Sequence, residues 1–280
     1  MNLLHLLLGT LLLRPYVFIF LGVFLVLAVP AWGWRRALLY ALLGYGLAWM
    51  AEYSSTHNGF PFGLYTYLSA ATLDKELWVA GVPFMDSLSF VFLSYAGLQT
   101  ARLILEPLSQ GPLGSWDIRW MHPDKLPSWP VWFLGGLLTM GLDIIIDPLT
   151  LQGERWFLGQ IYFYPGGGSY FGVPLSNFVG WALLAWSISG GFLLLERLLL
   201  QRWWGAWRGY FADALPAAGL YAGVLVFNLA ITFAIREYAM GAAGLVVGAL
   251  LVSPIFLRLQ KWRAQSEESL QTKLSSHEMR

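Results

Sequence analysis

The chain has 280 residues, of which 57% are hydrophobic and only 12% are charged, and its formal net charge is +1. Because an ordinary soluble protein carries about a quarter charged residues, this composition excludes a soluble globular domain and predicts a polytopic α-helical membrane protein. The small net charge gives no basis for a nucleic-acid partner. The chain has no cysteine, which excludes disulfides, iron–sulfur clusters, thiolate zinc sites and cysteine nucleophiles.

Seven hydrophobic segments are long enough to cross the hydrocarbon core of a bilayer as helices, which takes about 20 residues each. They predict an all-α bundle of seven transmembrane helices at about residues 16–34, 37–53, 79–105, 129–147, 173–195, 212–234 and 239–257. Residues 1–15 are too short to span and are predicted to form an N-terminal interfacial helix. We interpret the chain as a single transmembrane domain, with the helix bundle at 16–258 and a polar C-terminal tail at 259–280, of which Glu267–Arg280 is predicted to be disordered.

The segment between the second and third predicted spans, residues 54–78, is too apolar and aromatic for a solvated linker. We predict that it folds back into the protein as a re-entrant segment, which is permitted where neighbouring helices bury the backbone. By contrast, residues 106–128 form the most water-compatible internal stretch of the chain.

The basic residues predict the orientation of the bundle. With seven spans, thirteen of the 17 Lys and Arg residues fall on one side, and the other side has Arg14, Lys75, Arg155 and Arg236. The positive-inside rule makes the richer side cytoplasmic, so the N-terminus lies outside and the C-terminus inside. The acidic residues that then collect at the outer helix ends and in outer loops are Glu52, Asp74, Asp86, Asp143, Asp147 and Glu237. This asymmetry predicts a single outward-facing site.

Asp143 and Asp147 stand four residues apart, so on a helix their carboxylates share one face. Two carboxylates this close in a poorly solvated place cannot both ionise cheaply, which suits a general acid beside a carboxylate that stabilises a cation. Alternatively, Asp147 ends the helix before Pro148, and Asp143 pairs with Arg155 or Arg236. Ionisable groups inside membrane spans are commonly functional, and this favours the first interpretation.

Four further polar residues have less decided roles. At the C-terminal end of the second span Glu52 opposes the helix dipole, which indicates some compensating role as an acid, a base or a headgroup contact. A structural role is at least as consistent with Asp86, whose charge suits the start of its helix. His57 is the only histidine near the acidic residues, and without Glu-x-x-His pairs no metal site is expected. Asn177, on one face with Trp181, could hold a water or a carboxylate, or could join two helices.

Aromatic residues are concentrated in the two segments that carry these polar groups. The rings form either an interfacial belt with ordinary packing or the lining of a channel for a long conjugated substrate. Aromatic faces attract cations, so chemistry through a carbocation would favour such a lining. The set consists of Phe60, Phe62, Tyr65, Tyr67, Trp156, Tyr162, Tyr164, Tyr170 and Phe171.

The same two segments resemble a known family. EYSSTHNGFPFGLYTY at Glu52–Tyr67, with DIIIDP and YFGVPLSNFVGW between Asp143 and Trp181, resembles the integral-membrane carotenoid biosynthesis proteins of the CruF type. These are carotenoid 1',2'-hydratases and include bisanhydrobacterioruberin hydratases. The similarity extends over roughly residues 16–260. The matching positions are Glu52, Pro61, Phe62, Gly63, Tyr65, Tyr67, Asp143, Asp147, Pro148, Tyr170, Gly172, Pro174, Asn177 and Trp181. The chain departs from the pattern at Tyr162–Tyr164, where many relatives carry Trp-x-Trp, and this leaves the exact end group open.

The resemblance implies an enzyme that adds water across the terminal C1'–C2' double bond of an acyclic ψ-end carotenoid such as lycopene or γ-carotene. It implies no cofactor and no metal, a place in the bacterial plasma membrane, and as partners membrane lipid, the carotenoid substrate and other enzymes of the carotenoid pathway. The catalytic candidates are Asp143, Asp147 and Glu52. The substrate-binding candidates are Phe62, Tyr65, Tyr67, Trp156, Tyr170, Phe171, Asn177 and Trp181.

Two other functions remain open at this point. A carotenoid end-group cyclase also protonates an end group but closes a ring instead of admitting water. A proton-coupled transporter would use membrane-embedded carboxylates as relays, although the sequence lacks the paired broken helices of repeat-built transporters. A retinal-type photoreceptor is excluded, because the seventh predicted span has no lysine for a Schiff base.

Overall fold

The computed structural model describes residues 2–111, 117–205, 207 and 214–278. Parts of the predictions above, at residues 1, 112–116, 208, 212–213 and 279–280, lie outside it. The helices are α1 (Leu3–Leu13), α2 (Pro15–Trp32), α3 (Trp34–Asn58), α4 (Phe84–Leu105), α5 (Trp129–Thr150), α6 (Leu175–Leu195), α7 (Gln201–Trp204), α8 (Leu215–Ala234) and α9 (Tyr238–Glu278), and a π-helical turn joins α6 to α7. The protein is therefore an all-α bundle, as predicted.

Six helical segments are long and apolar enough to cross a membrane: α2, α4, α5, α6 continued through α7, α8, and α9 as far as Gln265. The predicted second span corresponds to α3, whose 25 residues would reach about 37 Å at 1.5 Å per residue. It is less apolar because it carries Arg35, Arg36, Glu52 and His57. These charges do not remove α3 from the bundle, since it packs against α2, α4 and α6.

Helix α4 is the centre of the bundle. It contacts α2, α3, α5, α6, α8 and α9, and nearly all of its residues from Met85 to Leu103 are buried. Helices α3 and α6, which pack together, run in opposite directions. Arg36 at the start of α3 pairs with Glu196 just after α6, with 2.8 Å between Arg36 Nη2 and Glu196 Oε1. At the other end of the bundle the ends of α3 and α5 meet the starts of α4 and α6. Which of these ends faces the cytoplasm stays a prediction.

Four predicted boundaries are wrong within the described residues. The third span starts at Phe84 instead of residue 79, because Trp78–Val79 and Val82–Pro83 form a strand pair before it. Helix α3 continues from residue 53 to Asn58, and α5 continues past Asp147 to Thr150 with Pro148 inside its last turn. Proline is tolerated there because it removes only the hydrogen bond that its own N–H would donate, and the Leu151 N–H still donates to the Asp147 carbonyl. The predicted disordered tail is instead helical to Glu278, because the sequence after Pro254 has neither Gly nor Pro and is rich in strong helix formers.

Short antiparallel strand pairs organise the loops. They are β1 (Thr66–Tyr67) with β6 (Tyr162–Phe163), β2 (Trp78–Val79) with β3 (Val82–Pro83), and β4 (Leu108–Gln110) with β5 (Ile118–Trp120). The loop after α3 packs onto the bundle and buries Phe62 and Tyr65, while its re-entrant course in the membrane stays a prediction. In the β1–β6 pair Tyr67 lies opposite Tyr162. This pairing brings the two motif-bearing segments together.

Close packing of α4 on α5 depends on a glycine. A Cβ added to Gly97 would lie 2.3 Å from Thr139 Oγ1 and 2.6 Å from the Gly135 carbonyl oxygen, and small residues of this kind let membrane helices approach. We expect Gly97→Val to lower the free energy of unfolding by roughly 1–3 kcal/mol through overpacking, measured as a lower Tm in detergent. The matched control is Gly22→Val in α2, where nothing lies within 4 Å of an added Cβ. Equal losses for both variants would contradict this account of the α4–α5 contact.

Candidate active site

Four carboxylates converge where α3 and α5 end and α4 and α6 begin. Glu52 comes from α3, Asp86 from the first turn of α4, and Asp143 and Asp147 from the last turns of α5. Glu52, Asp143 and Asp147 are buried, and Asp86 is half-buried. Buried carboxylates need hydrogen-bond donors, so the donors around each of them define what the group can do.

Asn177, in the first turn of α6, holds the two α5 carboxylates together. Its Nδ2 donates to Asp143 Oδ2 at 2.6 Å and to Asp147 Oδ2 at 3.0 Å. Asp147 also accepts from the hydroxyls of Tyr164, at 3.1 Å, and Tyr162. Asp147 therefore has three donors. Asp143 has one, and its Oδ1 is buried with no partner among the described residues.

The alternative that Asp143 pairs with an arginine is wrong for the described part of the chain. Arg155 instead pairs with Glu237 and donates to the Ile235 carbonyl, and no ion pair of Asp143 is found among the described residues. The predicted alternatives for Asn177 are both realised, because it holds carboxylates and in doing so joins α5 to α6.

A second chain of contacts joins Glu52 to Asp86 through Tyr67. The Tyr67 hydroxyl lies 2.7 Å from Asp86 Oδ2 and 3.1 Å from Glu52 Oε2, and the Ser87 hydroxyl donates to the same Glu52 oxygen at 3.0 Å. The Tyr65 hydroxyl lies 3.4 Å from that of Tyr67. Asp86 therefore belongs to the cluster.

The tyrosines in the loops are held in their protonated, donating form. Burial raises the pKa of the Tyr67 hydroxyl well above its usual value, and the charges of Asp86 and Glu52 raise it further. Burial and then the charge of Asp147 do the same to the pKa of Tyr164. At neutral pH these groups act as hydrogen-bond donors rather than as phenolates.

Two cavities meet at this cluster. The first, which we call the apolar cavity, lies among α2, α4, α5 and α8 and is lined largely by apolar and aromatic side chains, including Tyr16, Phe20, Phe92, Trp156 and Phe227. The second, which we call the polar cavity, is lined by Glu52, Phe62, Tyr65, Tyr67, Phe90, Tyr164 and Asn177 together with the shared residues. Four residues line both cavities, and we call them the junction residues: Asp86, Asp147, Tyr162 and Trp181.

The predicted substrate-binding residues divide between these cavities. Phe62, Tyr65, Tyr67 and Asn177 line the polar cavity, Trp156 lines the apolar cavity, and Trp181 lines both. Tyr170 and Phe171 are not among the residues that line either one; the Tyr170 ring packs against Phe171 and Phe178. Of the predicted catalytic residues, Glu52 lines the polar cavity and Asp147 lines both, whereas the fully buried Asp143 is not among the residues that line either one.

Three cluster residues were not among the predicted catalytic and substrate-binding residues: Asp86, Tyr162 and Tyr164. Asp86 had a usable signal, because it falls at the same end of the bundle as Glu52. Tyr162 and Tyr164 alternate along an extended segment, a spacing that places both side chains on one face. Among the described residues, no group of three or more His, Cys, Asp or Glu side chains is arranged to hold a metal ion.

The fold and the cluster define a class of protein: a polytopic helical membrane protein with a buried carboxylate and tyrosine site at one end of its bundle. The model of the carotenoid biosynthesis protein family matches residues 1–252. The chain therefore belongs to that family, which confirms the resemblance and supports a role in carotenoid biosynthesis. No curated protein matches the chain, and no solved structure does either.

Proposed function

We propose that the protein is a carotenoid 1',2'-hydratase, a hydro-lyase that adds water to the terminal C1'–C2' double bond of an acyclic ψ-end group without a cofactor. One observation carries the proposal: an apolar cavity and a polar cavity meet at two carboxylates, Asp86 and Asp147. Alkene hydration brings together a hydrocarbon and water, and this arrangement offers a place for each. The substrate would come from the lipid phase, in the bacterial plasma membrane.

The reaction needs a proton donor, a stabilised cation and a water molecule. A carboxylic acid gives its proton to C2', and the π electrons form the new C–H bond, which leaves a tertiary cation at C1'. A water oxygen then bonds to C1', and the proton that this water loses returns to a carboxylate. One water is gained, the site recovers its proton, and no oxidant or reductant is consumed.

Asp147 is suited to face the cation. Its three donors, from Tyr162, Tyr164 and Asn177, satisfy an ionised carboxylate, and it lines both cavities. Fixed negative charge in a poorly solvated site stabilises a developing cation without reorganisation. The ring of Trp181, whose centroid lies 4.2 Å from that of Phe90, supplies an aromatic face beside it.

Water has its place in the polar cavity. Glu52, Tyr67 and Asn177 line it with carboxylate, hydroxyl and amide groups, and these can orient a water oxygen towards the junction residues. A cyclase would have to exclude water from the same cation, so this polar lining favours hydration over ring closure.

The test is expression of the chain in a lycopene-producing bacterial host, followed by chromatography and mass spectrometry of the pigments. A hydratase gives a product heavier by one water, and we expect this result. An isomeric product of unchanged mass would identify a cyclase instead. Unchanged pigments, with the protein present in the membrane fraction, would overturn the proposed reaction on lycopene and favour transport or binding.

A further inference from the structure

We propose that Asp86 is the proton donor, supplied with protons from Glu52 through the hydroxyl of Tyr67. This inference rests on the proposed hydratase activity. It assigns a catalytic role to a residue that the motif left undecided, and it gives the water-derived proton a route back to the donor.

The hydrogen bonds among Asp86, Tyr67 and Glu52 require one of the two carboxyl groups to hold a proton. A tyrosine hydroxyl has one proton to donate and two lone pairs to accept with. The Tyr67 oxygen lies within hydrogen-bond distance of both Asp86 Oδ2, at 2.7 Å, and Glu52 Oε2, at 3.1 Å. The Tyr67 proton can serve only one of these carboxyl groups. If both carboxyl groups were ionised, the Tyr67 oxygen and the oxygen of the second carboxylate would be in contact with no proton between them, and they would repel each other.

One proton on a carboxyl group satisfies every contact. With Glu52 protonated, Glu52 donates to Tyr67 and Tyr67 donates to Asp86; with Asp86 protonated, both bonds reverse. The second lone pair of Tyr67 accepts from Tyr65, at 3.4 Å. The chain of three groups therefore holds one transferable proton and passes it along by moving two hydrogens in the same direction.

The two ends of this chain lie in the places that hydration requires. Asp86 lines both cavities, so it reaches the apolar cavity where the alkene would lie, whereas Glu52 lines only the polar cavity. Asp86 gives its proton to C2'. The water that bonds to C1' gives its proton to Glu52, and the Tyr67 hydroxyl passes a proton on to Asp86, which restores the starting state.

The neighbouring carboxylate favours the same assignment. Asp147 has three donors directed at its two oxygens, which suits an anion, whereas Asp86 has Tyr67 as its only side-chain donor among the described residues. The two junction carboxylates thus have different surroundings and different roles, one donating the proton and the other facing the cation.

Four variants test the proposal in the lycopene-producing host and in isolated membranes: Asp86→Asn, Asp86→Glu, Tyr67→Phe and Glu52→Gln. General acid catalysis contributes about 10²- to 10⁴-fold, so we expect Asp86→Asn to lose at least 100-fold in kcat and Asp86→Glu to recover part of it. Tyr67→Phe and Glu52→Gln should lower kcat by at least 10-fold with KM unchanged, because they act on proton return and not on substrate binding.

The control is Asp74→Asn, an exposed carboxylate on the loop at the same end of the bundle, which should keep full activity. Protein level and Tm separate a chemical role from a structural one. Wild-type-like kcat in a folded Asp86→Asn variant would overturn the proton-donor assignment while leaving the hydratase proposal intact. If Asp86→Asn does not fold, the test rests on Tyr67→Phe. An unchanged kcat in that variant would overturn the proton relay from Glu52 to Asp86. An inactive wild type would instead refute the proposed function.

Discussion

Asp147→Asn is expected to lower hydratase activity by about 10²- to 10³-fold, the loss that follows removal of a preorganised electrostatic group. Asparagine keeps the shape of the side chain but removes the charge that we place beside the C1' cation. Its NH2 group would also replace one of the two accepting oxygens, and so face either Tyr162 or the pair Tyr164 and Asn177. The measurement is the yield of hydrated pigment relative to the amount of protein in the membrane fraction.

Two further substitutions make this result specific. Asp143→Asn should also lose most activity, because Asn177 donates to both α5 carboxylates and a second amide beside it would disturb that arrangement. Asp124→Asn, at an exposed position outside the cluster, should behave like the wild type. If Asp143→Asn and Asp147→Asn both remain fully active, the proposed site is wrong.

Arg14→Met is expected to have the largest effect on stability. Arg14 and Glu76 form a two-point ion pair, with 3.2 Å from Nε to Oε2 and 3.1 Å from Nη2 to Oε1, and their side chains are only 1% and 0% exposed. Arg14 also donates to the Leu158 carbonyl. Removing one partner of a buried pair leaves an uncompensated charge and costs about 3–5 kcal/mol. A fall in Tm in detergent measures it.

The exposed pair Arg155–Glu237 is the matched control, since its side chains are 42% and 30% exposed. Such pairs contribute about 0–1 kcal/mol, so Arg155→Met should lower Tm far less. The double variant Arg14→Met with Glu76→Leu should recover part of the loss, because it leaves no unpaired charge. Similar Tm values for Arg14→Met and Arg155→Met would contradict the stabilising role of the buried pair.

The helices could be predicted from the sequence because each depends on local information, namely a hydrophobic run and its neighbours. The predicted helix ends were wrong where another effect outweighed a local sequence signal. Pro148 does not end α5, because a proline in the last turn removes only one hydrogen bond. Helix α3 can carry Arg36 and Glu52 because both side chains have partners inside the bundle. The sequence alone does not show which residues those partners are.

The site was predictable only in part, for a related reason. The four-residue spacing places Asp143 and Asp147 on one face of a helix, and the resemblance singled out Asn177 beside them. Two of the three donors on Asp147, Tyr162 and Tyr164, come from one loop, and the partner of Asp86, Tyr67, comes from another. Those contacts depend on β1 pairing with β6, a non-local register that no spacing rule reveals. Motif and periodicity thus located the carboxylates, whereas the structure was needed to distinguish them.

The pairing of β1 with β6 also limits how this protein can be recombined with its relatives. Because Tyr67 and Tyr162 lie opposite each other and serve different carboxylates, the loop after α3 and the loop after α5 form one exchangeable part, although two helices separate them in the chain. A chimera joined within α4 would take each loop from a different parent. Designers seeking new end-group selectivity should therefore exchange both loops together.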